Sequence, residues 1–269
     1  MTTKNVVAGL GEIGNPILKL ISKNTIAIGY DINPKLMDKK KFEKYLETKT
    51  SFLHICIPLT KKFSTNVISL YKKLKPACIV IHSTVSPYTT KQLQKLLPIP
   101  VVYSATRGVH KRMLYDLKRY TKFYAIEPNA PNAKWASSEY SKLMKKCGVK
   151  TKRVSNTLTL ELAKIVVDTS YYGWLINYAQ LSNMIAIQHK VNYDEMWSFA
   201  DEIHKFLDNR PKMYPGFIGG HCVIPNLDLM KDKKLAQINV INDIYLKKVK
   251  NAKSISKKLA KGKQSFNKK

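Results

Sequence analysis

The sequence predicts an α/β fold in which a doubly wound parallel sheet is followed by an all-helical domain. Three observations predict it. Short apolar runs alternate with amphipathic stretches through the first 155 residues, a glycine-rich turn follows the first apolar run directly, and after Ser155 the strand rhythm gives way to helical spacing. Residues 5–10, 25–30, 51–57, 77–82, 100–103 and 123–126 are the strand candidates, each a short apolar run. Between them, residues 13–22, 63–74, 89–96 and 132–146 carry apolar groups at helical spacing and are expected to cover the two faces of the sheet. Gly148 ends the last of these helices and leads into a short strand over 149–154.

Residues 158–189 hold apolar side chains at helical spacing, with no proline and only Gly173 as a weak point, which predicts one helix of about thirty residues. Asn156 or Thr157 supplies its cap, and a second helix over 193–207 follows the turn Lys190-Val191-Asn192. A helix of that length is expected between lobes or in a dimer interface, with Tyr171, Tyr172, Trp174 and Leu175 as packing residues. Next comes a shaped loop over 209–220 bearing Pro211, Pro215, Gly216, Gly219 and Gly220, then a helical stretch over 227–250. The domain boundaries expected are 1–155 for the sheet domain, 156–247 for the helical domain and 248–269 for a basic, frayed or disordered tail.

Composition narrows the function classes. The chain has 269 residues, 44% of them hydrophobic, enough for a packed core. No apolar run approaches the roughly twenty residues a membrane-spanning helix needs. Met1-Thr2-Thr3-Lys4-Asn5 runs straight into a strand without the apolar stretch of a signal peptide, so a cytoplasmic protein is expected. The net charge of +29 is lysine spread everywhere, densest between Lys247 and Lys269, and such runs are ordinarily solvated. Nucleic acid is therefore not the expected partner, although a salt-sensitive attraction to RNA or membrane is the other reading of the tail. Four cysteines and six histidines show no metal-ligand spacing, so neither a disulfide nor a metal is expected. Cys56 and Cys78 lie in apolar runs; Cys222 alone sits among loop residues.

Two motifs carry chemistry. Gly9-Leu10-Gly11-Glu12-Ile13-Gly14 follows a strand, opens a helix and has Asp31 at the end of the next strand, the context in which a GxGxxG turn holds a dinucleotide. Gly9 permits the turn, Gly11 lets backbone approach the pyrophosphate, Gly14 lets helix and strand pack, and the helix start favours the anion. Asp31 is expected to bind ribose hydroxyls, which favours NAD over NADP, with Lys35 and Lys39 close by. A Rossmann domain binding NAD through Gly9, Gly11, Glu12, Ile13, Gly14, Asp31, Pro58 and Thr84 is the result. In the second motif, Pro215-Gly216-Phe217-Ile218-Gly219-Gly220-His221-Cys222-Val223-Ile224-Pro225-Asn226, glycines let a thiol meet a substrate closely, and Cys222 is the candidate nucleophile. Lys164 and Asp168 stand one turn apart on an apolar helix, either paired in a core or aimed into a cleft.

With these residues in place the chain resembles the nucleotide-sugar 6-dehydrogenases, the UDP-glucose, UDP-ManNAc and GDP-mannose dehydrogenase family. Val7-Ala8-Gly9-Leu10-Gly11-Glu12-Ile13-Gly14, His54-Ile55-Cys56-Ile57-Pro58, His82-Ser83-Thr84-Val85, and Glu161-Leu162-Ala163-Lys164 followed by Gly219-Gly220-His221-Cys222-Val223-Ile224-Pro225 carry the resemblance over residues 4–245. It implies oxidation of a primary alcohol to a carboxylate with NAD, through a thiohemiacetal and a thioester on Cys222. Lys164 would stabilise oxyanions, Thr84 would hold water, and the long helix would form a homodimer in a protein of polysaccharide biosynthesis. The family's Asn and Asp stand exchanged here as Asp168 and Asn226, which keeps one acid and one amide for the site. Where the family has a Pro-Glu pair after the fifth strand, this chain reads Ser104-Ala105-Thr106-Arg107-Gly108-Val109-His110. Arg107 and His110 are candidates for an anionic substrate, as are Gly219, Gly220 and His221 in the loop. The family's C-terminal domain for the sugar nucleotide has no counterpart after about residue 250 in this sequence. A partner chain that supplies it, a smaller substrate, or a binding role without catalysis are the options this leaves. Two alternatives therefore stand beside the resemblance: a two-electron dehydrogenase of the 3-hydroxyacid type, which needs no thiol, and a catalytically silent NAD-binding subunit.

Overall fold

The strand and helix runs lie, in the computed structural model, within two compact units, residues 1–164 and the chain from Ile165 onward. The structure describes residues 2–219 and 223–249. Gly220, His221, Cys222 and the basic tail from residue 250 lie outside the described residues.

The first unit holds β1 (Lys4–Ala8), α1 (Gly14–Ile21), β2 (Ala27–Tyr30), α2 (Lys39–Lys44), β3 (Thr50–Ile55), α3 (Phe63–Leu74), β4 (Cys78–Ile81) and α4 (Thr89–Leu96). It continues with β5 (Val101–Tyr103), α5 (Met113–Arg119), β6 (Lys122–Ile126), α6 (Ala133–Lys146), β7 (Thr151–Arg153) and α7 (Thr157–Leu162). The strands form one seven-stranded sheet in the order β2-β1-β3-β4-β5-β6-β7. The order reverses between β1 and β3, and the carboxyl ends of the strands beside such a switch point are where open α/β sheets form their ligand crevice. Both faces are buried. One packs Val7, Phe52, Val80, Val102 and Tyr124 with Ile17, Leu20 and Ile21 of α1, and with Tyr140 and Met144 of α6. The other packs Val6, Leu53, Ile79 and Tyr103 with Phe63 and Val67 of α3 and Leu93 of α4. Because both faces are covered, the strands read as continuous apolar runs rather than alternating ones.

β5 and β6 pair antiparallel, Val102 with Ile126 and Tyr103 with Ala125, where a wholly parallel sheet was expected. The connection between them explains it. A 3₁₀ turn at His110–Arg112 and the short α5 pack beside α1 without crossing the sheet, so the chain re-enters at the edge it left. The sequence pattern predicts no helix there. Met113, Asp116 and Leu117 are its buried residues, too short a periodic run to stand out in a basic segment.

Beyond α7, residues Ala163–Ser170 are π-helical, followed by α8 (Tyr171–His189) and α9 (Tyr193–Leu207). The expected single long α-helix is thus interrupted by wider turns. π-helical turns are rare and concentrate at functional sites. Asn192 caps α9, accepting from the N–H groups of Asp194 at 2.9 Å and Glu195 at 3.0 Å. The expected helix over 227–250 is two helices, α10 (Val223–Asp228) and α11 (Gln237–Lys248), separated by a turn in which Asp232 accepts from the N–H of Lys234. The core of this unit is Ile218, Val223, Leu227 and Ile238, with Tyr245 and Val249 behind it. Among the described residues no helix is long and apolar enough to cross a membrane.

Candidate functional site

Each glycine of the turn after β1 has its own geometry. Gly9 takes φ +89°, a left-handed conformation, and a Cβ there would come within 2.9 Å of the backbone of Cys56. At Gly14 a Cβ would fall 1.6 Å from the carbonyl oxygen of Gly9, so α1 packs against the turn only because that side chain is absent. Gly11 is the opposite case: it is exposed, and nothing lies within 4 Å of the place a Cβ would take. The backbone at Gly11 is therefore open to an approaching ligand, at the start of a helix that no side chain caps.

Asp31, at the end of β2, ties the turn down. Its carboxylate accepts from the N–H of Leu10 at 2.6 Å and from that of Asn33 at 2.8 Å. Glu12 projects from the turn and pairs with the ring of His110, which brings the segment after β5 to the glycines. Exposed Pro58 and half-buried Thr84 follow β3 and β4, on the carboxyl side of the sheet. Arg107 follows β5, donates to the carbonyl of Thr121 at 2.7 Å and lies over the ring of Phe123, 5.1 Å from its centre. Gly9, Gly11, Glu12, Ile13, Gly14, Asp31, Pro58, Thr84, Arg107 and His110 thus all lie at or beyond the carboxyl ends of parallel strands in the first unit.

Lys164 closes that unit, three residues after Glu161 on the helical run. Glu161 is fully buried and anchors α7: its carboxylate accepts from the N–H of Tyr88 at 2.7 Å, the N–H of Thr90 at 2.9 Å and the Thr90 hydroxyl at 2.7 Å. Burial raises its pKa above the ordinary value, and the Thr90 and Tyr88 donors pull it back. Lys164 is half-buried, and its charge reaches Lys122 of β6.

In the second unit Asp168 lies exposed in the π-helical run, beside Thr169. The amide of Asn226 on α10 donates to the Thr169 hydroxyl at 3.5 Å, one residue along the chain from Asp168. A buried amide network holds the glycine loop before Cys222. Asn242 of α11 accepts from the N–H of Ile218 at 2.9 Å and donates to its carbonyl at 3.1 Å. Gln180 of α8 donates to the carbonyl of Gly216 at 2.7 Å and to Asn242 at 2.9 Å, and Tyr245 donates to the carbonyl of Pro215 at 3.0 Å. Gly219 is the last described residue of this loop and is exposed; Gly220, His221 and the nucleophile candidate Cys222 lie beyond it.

A buried polar row lies on the α1 and α6 face of the sheet. His54 Nδ1 lies 2.9 Å from His82 Nε2, the two rings stack at 5.2 Å, and His82 Nδ1 is 3.2 Å from the carbonyl of Ser104. Lys122 and the Tyr140 hydroxyl reach the same Ser104, through its carbonyl and its hydroxyl respectively. These residues are far apart in sequence, and no local pattern announces them.

No family model matches the chain, and no curated protein matches it by sequence. Solved structures do match in fold. The UDP-D-ManNAc dehydrogenase of Pyrococcus horikoshii superposes with a TM-score of 0.73 at 18% identity, over 90% of this chain and 69% of that one. The UDP-N-acetyl-mannosamine dehydrogenase Cap5O of Staphylococcus aureus gives 0.66 at 20% identity, over 90% and 68%. The 3-hydroxyisobutyrate dehydrogenase of Mycobacterium tuberculosis gives 0.63 at 15% identity, over 92% of this chain and 94% of that one. At these identities the likeness is one of fold: the chain has the Rossmann-type sheet and following helices found in these dehydrogenases.

Proposed function

We propose that this chain is an NAD-dependent dehydrogenase of CH–OH groups, acting on a primary alcohol of a nucleotide sugar or another anionic small molecule. The observation that carries the reading is the glycine turn. Gly9 and Gly14 have backbone packed where their side chains would be, while Gly11 leaves open the surface that a pyrophosphate would occupy, with Asp31 fixed beside it. The residues fit NAD: the backbone of residues 11–14 would hold the diphosphate, Asp31 has lone pairs that would take ribose hydroxyls, and Pro58 and Thr84 would line the cofactor's other end. Bound there, NAD would supply the hydride acceptor that both oxidations of the carbon need.

The chain's own residues do the rest. The Cys222 sulfur adds to the aldehyde carbon while a proton goes to the oxygen, giving the thiohemiacetal. Water held by Thr84 then displaces the sulfur from the thioester, which yields the carboxylate and returns the thiol. Lys164 offsets the negative charge that develops on oxygen in each addition, and Asp168 and Asn226 supply the acid and the amide. Arg107 and His110 are the first unit's candidates for an anionic part of the substrate, and Gly219, Gly220 and His221 are the loop's. Exposed Tyr171, Tyr178 and Ile185 on α8 would be covered in a homodimer, which light scattering of the purified chain checks.

A second reading, a two-electron oxidation of a hydroxyacid without a thiol step, draws on the same fold, since the match to the M. tuberculosis enzyme spans 94% of that chain. Replacing Cys222 by serine separates the two. Loss of NADH production supports the thiol route, and unchanged turnover removes it.

A further inference from the structure

Lys122 opens β6, where it pairs with Thr151 of β7, and is 5% exposed, its side chain reaching the segment that follows β5. Its Nζ donates to the carbonyl of Ser104 at 3.0 Å and to that of Ala105 at 3.5 Å, and lies 3.4 Å from the Thr106 hydroxyl. One buried amine thus holds three consecutive residues of the segment that carries Arg107. The titratable and charged groups around it are His54 of β3, Cys56 beyond β3, His82 beyond β4, Arg107 on the held segment and Lys164 beyond α7. Arg107 and Lys164 are of its own sign, and Cys56 is a thiol that burial pushes up to about 12.

Burial first, then Arg107 and Lys164, bring the Lys122 amine down to about 7. Burial first and Lys122 second hold His54 at about 3 and His82 well below the ordinary imidazole value, so neither takes up a proton near neutrality. Protonated, Lys122 has three N–H donors for its three oxygens. Neutral, it has two donors and a lone pair, and the Thr106 hydroxyl must turn from acceptor to donor.

We propose that Lys122 is a positioning residue: it sets residues 104–107 at the carboxyl edge of the sheet, and its gain or loss of a proton re-pairs that segment and changes the charge an anionic substrate meets. The second half rests on the dehydrogenase reading; the first does not. The test of the first half uses the full chain without substrate. Amide resonances of Ala105, Thr106 and Arg107 are followed from about pH 6 to 8.5, in a His110→Gln background that removes the histidine on the same segment. The wild-type lysine gives a common inflection near 7, and Lys122→Met and Lys122→Arg both lose it, because an arginine stays charged throughout. An inflection that survives in Lys122→Arg, or none in the parent, overturns the proposal. Lys122→Arg alone decides if the methionine variant does not fold. For the second half, KM for an anionic substrate rises at least about threefold from pH 6 to 8.5 with lysine and stays flat with arginine, while kcat follows neither. A KM equally flat in both overturns the role at the site, and absent turnover with an intact amide inflection counts against the dehydrogenase reading instead.

Discussion

Replacing Gly11 by alanine separates the fold from the proposed cofactor site more cleanly than any other change. Nothing lies within 4 Å of the added methyl group, and the backbone at Gly11 is not in the left-handed region. The folded state is therefore unstrained, and loss of glycine's freedom in the unfolded chain stabilises the protein by about 0.4–1 kcal/mol or leaves it unchanged. For a chain of this size that is a melting temperature equal to the parent's or up to about 2–4 °C higher. The same methyl group occupies the face that a pyrophosphate must approach. Loss of one charge-assisted hydrogen bond costs about 1.5–3 kcal/mol, which is about a tenfold to hundredfold weaker binding of NAD. Gly14→Ala is the contrasting variant. Its methyl group would meet the Gly9 carbonyl oxygen at 1.6 Å, so the backbone must move, and overpacking of this kind costs about 1–3 kcal/mol or more. Calorimetric titration with NAD and thermal melting of the three proteins are the assays. Unweakened NAD binding by Gly11→Ala, or a melting temperature lowered as far as that of Gly14→Ala, would show that Gly11 does not leave its face open for a pyrophosphate.

Asp31→Ala removes the acceptor expected for ribose hydroxyls, so titrations should show NAD binding at least about tenfold weaker and the preference over NADP erased, with Lys35 and Lys39 nearby for a phosphate. Asn242→Leu leaves the N–H and carbonyl of Ile218 without their partner, and urea unfolding should register a loss of about 2–4 kcal/mol. Lys122 binds its proton less tightly in the folded chain, at about 7 against the ordinary 10.5, so between those values the unfolded chain holds the extra proton. Stability from this group consequently rises with pH across that window, by at most about 1.4 kcal/mol per pH unit, and is lost as pH falls toward 7. Urea unfolding of the parent and Lys122→Met at several pH values should show that slope in the parent alone.

Much of the first unit is legible in the sequence because its signals are local. Apolar runs such as Val6-Val7-Ala8 and Cys78-Ile79-Val80-Ile81 are buried on both faces and read as strands, and the glycine turn announces itself by spacing. The unread features depend on distant partners or on no pattern at all. Lys122 at the start of a strand looks like a surface lysine, and its burial depends on residues 104–106, sixteen to eighteen positions away, which its amine bonds. The His54 and His82 pair closes over 28 residues of sequence. The π-helical run at Ala163–Ser170 has the same apolar spacing as an α-helix, so periodicity could not separate them. Gln180 and Asn242 read as polar positions on helices, and their burial follows from the loop backbone of residues 216–218 that they hold.

The most direct measurement incubates the purified protein with NAD and a panel of UDP-, GDP- and dTDP-linked sugars, following NADH release and the mass of the peptide that contains Cys222. A thiol-dependent dehydrogenase gives two NADH for each sugar oxidised and a covalent adduct on Cys222. NAD bound at the glycine turn, with no NADH from any of these alcohols and an unmodified Cys222, would contradict it.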